Sequence, residues 1–125
     1  MIELAPRLVV ADGDAALAFY AAAFAVTPTD QMYDGDRLVN AHVPIGATQV
    51  GVSQEDGGHN VSPTALGGTP VILSVTVPDA DEAGARFLAA GGEVVIAMDD
   101  RPYRRRDGRF KDPFGHLWII GAALG

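Results

Sequence analysis

The chain has 125 residues, 48% hydrophobic and 20% charged, which is enough apolar material for one packed core and too much for a disordered chain. A net charge of −7 argues against general affinity for nucleic-acid backbones. The absence of cysteine removes disulfides, thiol nucleophiles and cysteine-bound zinc. The opening MIELAPRLVV lacks the basic start and long apolar region of a secretory signal, and the alanine-rich run from Ala15 to Val26 is too short to cross a bilayer. A cytoplasmic protein with no membrane or nucleic-acid partner is the expectation.

In chain order, Leu8 to Val10 reads as a strand running into Asp12-x-Asp14 and a helix. Leu17, Tyr20 and Phe24 recur at a spacing that describes one buried helical face. Two further strands are expected over Leu38–Val43 and Gln49–Ser53, joined by a turn at Pro44–Ala47. A connector rich in Gly, Pro and polar residues follows from Gln54 to Pro70. Then the pattern repeats. VTVPDADEAGARFLAAG from Val75 lies over LVVADGDAALAFYAAAF from Leu8 at an offset of 67, pairing Asp12 with Asp79, Asp14 with Asp81, and Tyr20 with Phe87. Asp79 is a good helix N-cap with Glu82 three residues on, Phe87 and Leu88 are expected to face the core, and Gly91-Gly92 stops the helix. Strands are expected over Glu93–Met98, Arg109–Lys111 and His116–Ala122, with a turn at Asp112–Gly115. Trp118 is expected to point toward the helices.

The reading is therefore one domain over residues 1–125. It has a first module over about 1–58, a linker over about 54–70 and a second module over about 69–125, each module strand, helix and then three strands. The fold class is α+β: two βαβββ modules forming a cup-shaped mixed sheet with helices on the outer face. Alternation places Val71, Leu73, Val75 and Val77 on one side of a strand and Ile72, Ser74 and Thr76 on the other. His42 and Asn40 likewise oppose Val39, Ala41 and Val43. The mixed polar and apolar faces make a plausible small-molecule cup.

Six of the nine basic residues lie between Arg101 and Lys111, beside Asp99, Asp100, Asp107 and Asp112. The cluster reads either as a grip on an anion or as a solvated loop balanced by its acidic neighbours; charge runs usually face water.

The duplication, the motif DGDAALAFY from Asp12 and the motif GRFKDPFGHLW from Gly108 resemble the vicinal oxygen chelate superfamily, the glyoxalase/bleomycin resistance/extradiol dioxygenase group. SPTALGGTPVILSVTVPDADEA, from Ser62 to Ala83, looks most like its PhnB-like branch, although Pro102-Tyr103 stands where that branch often has Phe-Trp. Enzymes of this group hold a divalent metal with four His, Gln or Glu side chains, two from each module. By motif spacing and the internal offset those positions fall at Ala5, Ile72, Ile119 and Gly51, or Val50 if the register is shifted by one. None of these side chains can coordinate a cation, which needs several N or O donors converging within roughly 2.0–2.5 Å.

The resemblance then implies binding more than chemistry: a metal-free, cofactor-free, homodimeric protein that sequesters a bulky aromatic antibiotic or natural product without modifying it. The expected ligand-binding residues are Arg7, Val9, His42, Gln49, Gly51, Ile72, Ser74, Tyr103, Phe110 and Ile119, with Arg7, Tyr103 and Phe110 as flat surfaces and His42, Gln49 and Ser74 as polar anchors. No catalytic or metal residue is assigned. The alternative is a glyoxalase-like isomerase or lyase using His42 or a relocated metal site.

Overall fold

The structure, a computed structural model, describes residues 1–125. Each module begins with a strand that runs into a helix capped by aspartate. In the first module β1 (Arg7–Val10) leads to α1 (Gly13–Phe24), where the Asp12 carboxylate accepts from the Ala15 amide. In the second, β5 (Ile72–Thr76) leads to α3 (Ala80–Ala90), where Asp79 accepts from the Glu82 amide. Each cap satisfies an amide that the first helical turn would otherwise leave bare. Both strand-to-helix corners thus follow from the repeated Asp-x-Asp. Gly91, with φ of 125°, ends α3 as the double glycine predicts.

Three strands follow each helix: β2 (Thr29–Asp34), β3 (Arg37–Ile45) and β4 (Thr48–Gln54) in the first module, then β6 (Glu93–Arg101), β7 (Arg105–Lys111) and β8 (Leu117–Ala123) in the second. They build two four-stranded mixed sheets, ordered β1-β4-β3-β2 and β5-β8-β7-β6. Only the first strand of each module pairs in parallel, β1 with β4 and β5 with β8. This is the expected α+β duplication. Two elements lack a sequence signal: β2, which is exposed throughout and bulged against β3, and α2 (Pro63–Leu66), a single turn inside the linker capped by Ser62. β7 also extends four residues further toward the N-terminus than expected, taking in Arg105 and Arg106.

One core joins the modules. Leu8, Val10, Val43, Val50 and Val52 from the first sheet meet Phe110, Trp118 and Ile120 from the second, around Phe19, Tyr20 and Phe87 of the helices. Trp118 is buried, as its alternation requires, and lies 5.0 Å centroid to centroid from Phe24 and 5.9 Å from Tyr20. Leu88 is a correction: it is 39% exposed, because the buried face of α3 runs through Ala80, Gly84 and Phe87 and leaves Leu88 to one side.

A buried carboxylate ties this core together. Asp112 Oδ2 accepts from Tyr20 OH at 2.5 Å and from Trp118 Nε1 at 2.9 Å, while Oδ1 accepts from the Phe114 and His116 amides. Burial and the Asp112 charge push the Tyr20 phenol well above its ordinary value, since tyrosinate there would be both desolvated and repelled. Nearby, the His116 ring spans the modules: Nε2 lies 2.8 Å from the Val9 carbonyl and must carry the proton, because a carbonyl can only accept.

Candidate functional site: two open sheet faces

Strand alternation divides each sheet into a face toward the helices and a face away from them. On the first sheet the outward set is Arg7 and Val9 of β1, Gln49, Gly51 and Ser53 of β4, and His42 of β3, with Arg7 paired to Gly51 and His42 to Gly51. On the second it is Ile72, Ser74 and Thr76 of β5, Leu117 and Ile119 of β8, Arg105, Asp107 and Arg109 of β7, and Ile96 of β6. Ser74 there is paired to Ile119, and Arg109 to both Ile119 and Ile96. No strand of one sheet pairs with a strand of the other.

The register decides between Gly51 and Val50. Arg7 is paired with Gly51 in the first sheet just as Ser74 is paired with Ile119 in the second, so Gly51 is the counterpart of Ile119. Val50 is buried on the helix side. Gly51, Ile72 and Ile119 therefore lie on the outward faces, and Ala5 precedes β1. A hydrogen and three hydrocarbon side chains stand where four lone-pair donors would be needed, so these residues do not fit a chelated divalent metal. Elsewhere no three His, Asp or Glu side chains are grouped so that they could hold one.

Of the ten expected ligand-contacting residues, Arg7, Val9, His42, Gln49 and Gly51 share the first outward face, and Ile72, Ser74 and Ile119 share the second. Tyr103 stands at the edge of the second face, where its hydroxyl donates to Asp107 at 2.9 Å; that bond to a carboxylate raises its phenol. Phe110 is a correction. It is paired with Trp118 and therefore points to the helices, 2% exposed and 5.6 Å from the Phe87 ring, so it cannot present a flat surface to a guest. Its sequence neighbours mislead because Arg109 and Lys111 are polar while the strand between them turns inward.

Four buried side-chain atoms lack any hydrogen-bond partner: Asn40 Oδ1, Ser53 Oγ, Glu55 Oε1 and Arg109 Nε. Three are oxygens associated with the first sheet and one is a nitrogen of the second. Ser53 is fully buried, Glu55 lies two residues beyond it, and Asn40 adjoins Ala41, which pairs with Val52. Burying a polar atom without a partner costs about 1–3 kcal/mol, so each of these atoms carries an unmet demand for a hydrogen bond. His42 is less available: its Nδ1 meets Asp30 Oδ2 at 2.9 Å.

Two cavities open here. One of about 230 Å³ lies on the second outward face beside Ile96, Tyr103, Arg109 and Ile119. A larger cleft of about 700 Å³ lies between the modules, where Leu4, Ile45 and Val50 face Val71, Leu73 and Val75, with Phe24 and Trp118 at its base. Sequence reasoning missed this cleft, because it belongs to the seam between modules and only Ser74 of the expected site reaches it. No helix is long and apolar enough to cross a membrane.

The comparisons bear on the family and the fold. The model of the "Glyoxalase/Bleomycin resistance protein/Dioxygenase superfamily" matches residues 4–120. An uncharacterized protein of Mycobacterium bovis, Mb0911c, is 40% identical over 123 residues, covering 94% of this chain and 81% of its own. Among solved structures, TioX from Micromonospora sp. ML1 superposes with a TM-score of 0.78 at 24% identity, over 99% of this chain and 100% of that one. A glyoxalase/bleomycin resistance protein/dioxygenase family enzyme from Burkholderia phytofirmans PsJN does so with a TM-score of 0.77 at 16% identity, over 96% and 97%. At these identities the structural likeness speaks for the fold, and the family match carries the assignment: the chain belongs to the glyoxalase/bleomycin resistance protein/dioxygenase superfamily.

Proposed function

We propose that this protein binds a flat, largely apolar small molecule without a metal and without changing it, as a PhnB-like, antibiotic-sequestering member of its superfamily. The observation that carries this reading is the donor-free set at the outward faces: Gly51, Ile72 and Ile119 offer van der Waals contact and no lone pair with which to hold a metal ion. Arg7 supports it further, because its side chain lies along the bare Gly51 backbone, within 3.5 Å of where a Cβ would sit, and presents a guanidinium plane there. Burying about 300 Å² of apolar guest surface is worth roughly 7 kcal/mol before the costs of association, so stacking and hydrogen bonds to the unpartnered polar atoms must add to it.

The working form is a homodimer. Met1, Ile2 and Leu4 are 90% or more exposed, and Val71 is 60% exposed just before β5, a strand with one free edge. A second copy would cover this apolar arm and edge. Native mass spectrometry of the purified protein with a panel of flat aromatic natural products tests both points. The expected result is two chains carrying guest, with the compound recovered at unchanged mass. Conversion of a compound by the protein alone overturns the reading.

A further inference from the structure

We propose that the guest is an anion, a carboxylate on a flat ring system, and that Arg109 is the residue that holds its charge. This rests on the binding function proposed above and names the chemical class of the guest. Four of the five other basic residues between Arg101 and Lys111 are already paired, Arg104 being the exception. Arg101 Nε meets Asp107 Oδ1 at 3.0 Å, and Arg105 Nε lies 3.6 Å from Asp107 Oδ2, which also accepts from Tyr103. Arg106 bridges Asp81 and Asp100, and Lys111 meets Glu93 at 3.1 Å. Arg109 alone on the outward face of β7 makes no side-chain hydrogen bond and no ion pair, and its Nε is buried without a partner.

Its surroundings explain why no protein group answers it. Cross-strand neighbours Ile96 and Ile119 flank it on either side. The one carboxylate in the same cavity, Asp107, is already held by two guanidiniums and a phenol. The result is a cationic fork set between two hydrocarbon walls in a cavity of about 230 Å³. That arrangement suits a carboxylate on a planar apolar body: the fork takes the two oxygens and the isoleucines take the ring faces.

The test uses 2-naphthoate and its neutral isostere 2-naphthamide as probes of the full-length protein, with affinities by calorimetry and the Arg109 Nε–H signal by ¹⁵N NMR. The expected result is about tenfold tighter binding of the acid, the value of one charge-assisted contact. That preference should disappear in Arg109→Gln, and the acid alone should move the Nε–H signal of the wild type, a readout that needs no variant to fold. Equal affinity for both probes with an unmoved Nε–H signal overturns the anion assignment and leaves guest binding intact. A preference that survives in Arg109→Gln also overturns it. Failure of either probe to bind at millimolar concentration counts against the anion assignment and the binding function together.

Discussion

The two modules close their last hairpins differently. In the first, β3 and β4 are joined by a tight turn after the Ile45–Thr48 pair, with Gly46 at φ of 58° and open space around it. In the second, the turn from Asp112 to His116 is longer and sends a carboxylate inward to Tyr20 of the other module and to Trp118. His116 of the same turn reaches Val9, and Gly115 sits so close to the linker helix that a Cβ would lie 2.8 Å from Pro63. One copy of the duplicated unit thus keeps a plain hairpin, and the other uses the same place to fasten both modules and the linker. Duplication supplied the scaffold, and divergence at one turn supplied the polar tie.

Breaking the tie should show this asymmetry. Asp112→Ala strands four donors, two of them in the aromatic core, and should lower unfolding free energy by at least about 3 kcal/mol in urea denaturation. Tyr20→Phe removes one bond and should cost about 1–2 kcal/mol. It also sharpens the comparison through pH. The folded phenol sits above its ordinary value, so an unfolded chain sheds that proton first; stability should be complete below about pH 10 and fall as pH rises beyond it. Thermal melts of Tyr20→Phe should lack that part of the alkaline decline. His116→Ala, which loses only the link to Val9, should cost about 1 kcal/mol. In the first module, His42→Ala breaks an exposed pair with Asp30 and should change stability by no more than about 0.5 kcal/mol.

The parts of this structure that could be read from the sequence are those written in local chemistry. Asp12 and Asp79 announce both helices, Gly91 stops one of them, and the alternation through β5 and β8 separates Trp118 from Ile119. β2 left no trace because it is an exposed edge with no apolar alternation, and α2 is one turn held by its cap and by packing on Gly115. The face of Phe110 is not written locally, because assigning it requires its partner, Trp118, which only the strand register reveals. The same limit applied to the basic stretch. Composition shows six cations near four acids, but only the pairing geometry shows that Asp107 is occupied and Arg109 is not. The 700 Å³ cleft was invisible for a related reason: it lies between modules whose relative placement no local pattern encodes.

The most direct test of the central claim is calorimetric titration of a flat aromatic guest into protein freed of metal with a strong chelator and then resupplied with zinc or manganese. Saturable binding of equal affinity in both preparations is the predicted result, since Gly51, Ile72 and Ile119 give an added cation nothing to hold. Binding that appears only after the metal returns would contradict the account.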